Sequence, residues 1–159
     1  MWMQVPGLRR INACGLLAEI GADLRQFPTA AQLASWAALC PGNRESAGKQ
    51  KSGKIRPGNP WLRRTLCEAA WAASRTKKSY FRALYGRLAR GRGKKRALIA
   101  VAHSLLVTVY SFTMTGQPYR DPGLDYFDRL NKEHLEKSLV KRLEKLGHRV
   151  ILEPAHSAA

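Results

Sequence analysis

Lys49, Lys51, Lys54 and Arg56 alternate through a stretch punctuated by Gly48, Gly53, Gly58, Pro57 and Pro60, and Arg63, Arg64, Lys94, Lys95 and Arg96 follow. Lysine and arginine at such density neutralise phosphates and release condensed counterions, so these nine residues are candidate nucleic-acid contacts. Trp61, Trp71, Tyr80, Phe81 and Tyr85 are interleaved with them. Exposed rings would stack on unpaired bases, but at helical spacing most of these are expected in the core. The charge is concentrated rather than spread: residues 44–96 hold seventeen bases and two acids, net +15 of the chain's +17, whereas residues 1–43 and 97–159 are each net +1. Such a segment repels itself unless an anion compensates, which makes it a footprint for a polyanion. DNA, RNA and an anionic membrane all satisfy the charge. Lipid fits least, because the cations lie largely on a Gly/Pro-rich loop and not on a basic amphipathic helix.

Other chemistries find little support. Cys14, Cys40 and Cys67 are far apart and odd in number, so neither a disulfide framework nor a zinc site is indicated, and three buried thiols in a reducing cytoplasm are expected. Glu19, Asp23, Glu45 and Glu68 are too scattered for a metal cluster, and no cofactor is expected on this chain. The start of the chain lacks a basic stretch followed by an apolar one, so no secretory signal is apparent. Ala97 to Met114 reaches the minimum length for a membrane span behind Lys94-Lys95-Arg96. His103, Ser104, Thr108, Ser111 and Thr113 interrupt it, which favours a central core helix carrying a packed or capping His103.

The elements that must position the basic segment can be read from periodicity and caps. With 159 residues and an apolar fraction of 45%, the chain suits one domain, or one and a tail. The fold class expected is mainly α: a compact helical domain with a Gly/Lys-rich loop, a C-terminal helix and a short strand. Pro6-Gly7 opens a helix from Leu8 to Ile20 that ends at Gly21. Thr29 caps a second helix, with Gln32 completing a capping-box pattern, and this one stops before Pro41-Gly42. The two read either as a plain helical pair or as a helix-hairpin-helix offering backbone amides to a phosphate. Residues 42–60 read as a loop or irregular ribbon. Pro60 opens a third helix from Trp61 to Ser74, burying Leu62, Leu66, Ala69, Ala70 and Ala73. A fourth covers Ser79 to Leu88 and breaks at Gly91-Arg92-Gly93, and Gly116-Gln117-Pro118 ends the long apolar helix. Lys132 to Leu146 reads as an amphipathic helix turning Leu135, Leu139, Leu143 and Leu146 inward, and Val150-Ile151-Leu152 as a short strand.

Several words occur in an order that resembles the C-terminal domain of IS-110 (insertion sequence one-ten) family transposases. They begin with Val5-Pro6-Gly7, Leu17-Ala18-Glu19-Ile20-Gly21, Phe27-Pro28-Thr29-Ala30 and Leu33-Ala34-Ser35-Trp36-Ala37. They continue with Leu39-Cys40-Pro41-Gly42-Asn43, Glu45-Ser46-Ala47-Gly48-Lys49, Ser52-Gly53-Lys54, Gly58-Asn59-Pro60-Trp61-Leu62-Arg63 and Glu68-Ala69-Ala70. Gly93-Lys94-Lys95-Arg96-Ala97, Ala100-Val101-Ala102-His103 and Pro118-Tyr119-Arg120-Asp121 extend the similarity to about residues 5–130. It implies a transposase domain over residues 5–120, followed by a C-terminal helix and tail over 121–159.

What the resemblance implies is a recombinase that excises and inserts its own element, binding DNA and a guide RNA, homo-oligomeric at full length, cytoplasmic and associated with the nucleoid. It implies a serine nucleophile that links covalently to DNA, and that role falls on Ser46; Ser52, in Ser52-Gly53-Lys54, is the rival. A serine hydroxyl is a weak nucleophile and needs activation, with cations on the phosphate; Gly48 would let the backbone approach closely. The resemblance places a divalent metal such as magnesium on an acidic RuvC-like N-terminal domain. Here Met1 stands just before Val5-Pro6-Gly7, so the chain is expected to be a truncated transposase, inactive alone, or a non-catalytic nucleic-acid-binding remnant. A small RNA-binding structural protein would fit the charge but not the ordered words.

Overall fold

The computed structural model describes residues 2–40, 44–46, 49–52 and 57–153, with 44–46 and 49–52 described through their backbone. Among them the order is α1 (Arg10–Ile20), α2 (Ala30–Trp36), β1 (Arg44–Ser46), β2 (Lys49–Ser52), α3 (Pro60–Arg75), α4 (Tyr80–Arg92), α5 (Lys94–Thr115), α6 (Tyr126–Leu130) and α7 (Lys132–Lys145), with short 3-10 turns at Trp2–Gln4 and Leu24–Gln26. The fold is mainly α, as expected. Two units separate, Met1–Leu124 and Asp125–Ala159.

Side-chain caps explain the starts of α2, α3 and α4. Thr29 accepts the N–H of Gln32 at 3.2 Å, Asn59 those of Trp61 and Leu62, and Ser79 that of Arg82. Pro60 occupies the first turn of α3, where a missing N–H costs nothing. Gly116, at φ +68°, ends α5 in the left-handed conformation. Helix α4 runs through Gly91 to Arg92, past the expected break, because the bend falls on Gly93 alone at φ +83°.

The core of the first unit is built on α3 and α5. Leu62, Leu66, Ala69, Ala70 and Ala73 are all fully buried, as their spacing predicts. Small residues on that face let other chain segments approach closely. Val5-Pro6-Gly7-Leu8 forms a type II turn, with Leu8 N–H bonded to Val5 C=O at 3.0 Å and Gly7 at φ +85°. A Cβ at Gly7 would lie 2.2 Å from the Ala69 carbonyl oxygen, so this turn packs closely on α3. The pairing of α1 with α2 is corrected: α1 packs on α3 and α2 on α5.

Helix α5 buries Ala97, Val101, Ala102, Leu105, Leu106, Val109, Tyr110 and Phe112 against α2, α3 and α4. Its 22 residues are long and apolar enough to cross a membrane by length and composition, yet this packing is that of a core helix. Buried polar atoms along it are satisfied: Tyr110 Oη donates to Phe27 C=O at 2.7 Å, and Trp2 Nε1 to Thr113 Oγ1 at 2.8 Å. The Asp121 carboxylate accepts the N–H groups of Tyr80 and Gly123, each at 2.9 Å, and the Tyr119 hydroxyl at 3.2 Å. An anion is thereby placed at the positive end of α4. Burial, with the neighbouring Asp121 charge, holds the Tyr119 phenol well above its usual range.

Three local expectations are corrected. In the second unit Leu139, Leu143 and Leu146 are exposed and Leu135 half-buried, so the leucine stripe of α7 faces no core within that unit. Residues 150–152 form no strand, since no partner strand runs beside them among the described residues. Cys14 is exposed, and Cys40 and Cys67 are half-buried rather than buried; all three are free thiols, and burial raises that of Cys67.

His103 sits half-buried on α5, and desolvation lowers its pKa from the usual 6.5. The unfolded chain therefore takes up a proton before the folded one does, and stability falls as the pH drops below about 6.5 through the folded value. His103→Gln should show a flatter decline of melting temperature than the parent chain over that interval, measured by thermal unfolding at stepped pH.

Candidate nucleic-acid interface

The ends of the segment carrying Ser46 are fastened to each other. Helix α2 closes with Ala38 at φ +53°, its N–H bonded to Ser35 C=O at 3.0 Å, while Leu39 N–H reaches Ala34 C=O at 3.1 Å. This is a Schellman closure, with alanine where glycine is usual. The Ala38 methyl fills the space beside Gly58, where a Cβ would lie 2.3 Å from it. One residue later Asn59 holds the start of α3: its Oδ1 accepts Trp61 N–H at 2.9 Å and Leu62 N–H at 3.1 Å, and its Nδ2 donates to the Glu19 carboxylate near the end of α1. The segment between thus springs from a clamp made by α1, α2 and α3.

Between those ends, the expected loop or irregular ribbon is a short antiparallel ribbon of β1 and β2. Ser46 is the register partner of Lys49, Glu45 of Gln50 and Arg44 of Ser52. The shift between Arg44 and Glu45 leaves Lys51 as the extra residue of a bulge, a feature that twists a ribbon and ends regular pairing. Ser46 and Ser52 therefore lie at opposite ends of the ribbon. Lys54 and Arg56 lie outside the described residues.

The remaining cations lie on α3 and at the tip joining α4 to α5. Helices α3 and α4 meet where Trp71 and Tyr85 pack edge to face at 6.1 Å. Glu19 meeting Asn59 holds the end of α1 at the start of α3, which is also the ribbon's point of attachment. Lys94, Lys95 and Arg96 stand at the tip, where α5 begins.

These positions differ in what occupies them. Arg63 is half-buried, whereas Arg64 is exposed and paired with Glu68 at 3.1 Å. Both members of that pair are solvated, so it is worth little and yields readily to a phosphate. Lys94, Lys95 and Arg96 are exposed, and no ion pair engages them among the described residues. They stand at the positive end of α5, whose first turn has no acidic residue and whose N-cap, Gly93, provides no side-chain hydrogen bond. Like charge at that end is unfavourable until an anion arrives. Arg87, Arg90 and Arg92 are exposed on the same tip and were not singled out by the spacing argument; the charge run alone would have found them. The rings divide: Phe81 is buried and Tyr80 and Tyr85 half-buried, as expected of core aromatics, but Trp61 and Trp71 are exposed.

Among the described residues no three His, Cys, Asp or Glu side chains come together as metal ligands. The chain matches the transposase IS116/IS110/IS902 family over residues 2–86. It is 33% identical over 118 residues to a Streptomyces coelicolor protein described as the insertion element IS110 uncharacterized 43.6 kDa protein, covering 72% of this chain and 28% of that relative. This chain therefore spans little more than a quarter of the curated relative's length. No solved structure matches.

Gly58→Ala should lower thermal stability by about 1–3 kcal/mol, since the new methyl overlaps that of Ala38. Adding Ala38→Gly removes the opposing methyl and relieves the positive φ, so the double variant should recover most of the loss. Independent, additive effects in calorimetry would contradict the clamp.

Proposed function

This chain belongs to the transposase IS116/IS110/IS902 family, and from that premise we propose that it is the serine-bearing, DNA-binding part of a transposase acting on an insertion sequence. The observation that carries the reading is the register pairing of Ser46 with Lys49, on a ribbon rooted where Ala38 meets Gly58 at the start of α3. The nucleophile is Ser46 and not Ser52. Its hydroxyl oxygen attacks a DNA phosphorus while its proton passes to a base. The bond to one deoxyribose oxygen breaks, and that oxygen leaves as a hydroxyl. The resulting phosphoserine diester keeps the strand attached until the reaction is reversed onto a new end. Lys49 and Lys51, with Lys54 and Arg56, neutralise the charge on the phosphate, the largest contribution in reactions of this type.

The nucleic acid is held by Arg63, Arg64, Lys94, Lys95 and Arg96 through its backbone, and sequence choice is delegated to pairing with a guide RNA, as in other RNA-guided systems. Homo-oligomerisation, cytoplasmic location and the absence of a membrane partner belong to the same proposal. A divalent metal such as magnesium would sit on an acidic domain of the longer protein; no step here is routed through it.

Binding to duplex DNA should weaken on the order of 10³-fold between 50 and 200 mM salt if about six phosphates are contacted. Replacing Lys94, Lys95 and Arg96 together by Gln should make the log–log salt slope shallower by about three, roughly one per lost contact. Salt-independent affinity in a fluorescence-anisotropy titration would overturn the interface. For the chemistry, mixing the chain with an acidic RuvC-like domain, magnesium, guide RNA and donor DNA should trap a protein–DNA adduct resistant to denaturant. Ser46→Ala should abolish it and Ser52→Ala should not. Salt-sensitive binding without any adduct would assign the chain to the non-catalytic reading.

A further inference from the structure

One face of α3 is left to solvent along its whole length. Trp61, Arg64, Glu68, Trp71 and Arg75 succeed one another at intervals of three and four residues, which aligns them on a single stripe opposite the buried leucines and alanines. Trp71, 41% exposed, is partly engaged: Tyr85 meets its edge and the Arg75 guanidinium lies 4.4 Å above its ring. Trp61 is 66% exposed and has no ring contact among the described residues. Its backbone, by contrast, is held firmly by Asn59, Glu19 and the Ala38–Gly58 contact. Leaving a tryptophan ring in water forgoes favourable burial, so an exposed ring on a firmly held backbone is well placed to take an occupant.

We propose that Trp61 stacks on an unpaired nucleobase beside the Ser46 ribbon, with the α3 stripe as the platform along which the strand continues. The inference rests on the nucleic-acid reading above and adds to it a residue and a substrate form. Two features select a base over a protein surface. The ring is flanked by Arg63 and Arg64, and it lies in the segment of net +15. The core of a protein–protein interface is depleted in charge, whereas a single strand needs a π-face and cations together. Duplex bases are covered above and below by their neighbours, so the ring's partner is an unpaired one. Ten residues separate Trp61 from Trp71, about 15 Å along the helix. That distance suits a strand passing from one ring to the Trp71–Arg75 pair.

The test uses the full chain and two fluorescent DNA probes of one sequence, a continuous duplex and the same duplex with an unpaired gap. Trp61→Ala should weaken binding to the gapped probe by roughly 5- to 100-fold, the range for losing one base–aromatic stack. It should leave the duplex affinity, the salt slope and the melting temperature unchanged, because the ring supports no core. Trp61→Phe should restore most of the gapped-probe affinity. It should also reduce, by the share of one ring, the tryptophan fluorescence quenching that accompanies gap binding in the parent chain. Equal losses on both probes, or no loss on the gapped one, would overturn the stacking role while leaving the charge-based reading intact. A fall in self-association with Trp61→Ala would overturn it in favour of a contact between copies. Failure of the parent chain to bind either probe would overturn both readings together.

Discussion

The alanine-rich side of α3 is the constraint from which the rest of the first unit follows. Because Ala69, Ala70 and Ala73 are fully buried and carry only methyl groups, the Gly7 turn can lie against the α3 backbone, and α1, α4 and α5 can all pack on the same helix. Larger side chains would hold these elements apart, and dispersion contacts fall off steeply with a gap. A helix that packs on three others with one side must leave the other side free. That free side is where Trp61, Arg64, Trp71 and Arg75 appear, so the core and the candidate interface are two consequences of one helical period.

The same period explains how so much positive charge is tolerated. A net +15 in one stretch would oppose folding if it had to be buried. The fold instead leaves Arg64, Arg92, Lys94, Lys95 and Arg96 exposed, where water screens them. The Asp121 carboxylate sits at the N-terminus of α4, away from the tip cations along the helix. Stability thus comes from an apolar core, while the concentrated charge stays in water.

Much of the fold was legible. Thr29, Asn59-Pro60 and Ser79 mark helix starts because each supplies an acceptor for otherwise orphaned N–H groups, and Gly93 and Gly116 mark ends because φ is positive there. The buried stripe of α3 followed from spacing alone. Less legible were the pairings between helices: α1 packs on α3 and α2 on α5, and neither pairing is visible in a helix taken by itself. The leucines of α7 misled for a related reason, since amphipathic spacing says that a face could be buried but not that a partner is at hand. Of the candidate site, the cations and Ser46 could be named from residues and family words. The pairing of Ser46 with Lys49 and the bulge at Lys51 depend on strand register, which one glycine-rich stretch does not specify.

By itself, then, the sequence determined the helix periods, the caps, the local concentration of charge and the words shared with a transposase family, because each depends on neighbours within a few residues. Only the tertiary structure decided that Ala38 closes against Gly58, that Glu19 reaches Asn59, that Trp61 faces water, and that Lys94, Lys95 and Arg96 at the α4–α5 tip stand without an ion pair among the described residues. Those outcomes join residues that are distant along the chain. They are settled by which surfaces fit at close range, and no local propensity encodes that fit.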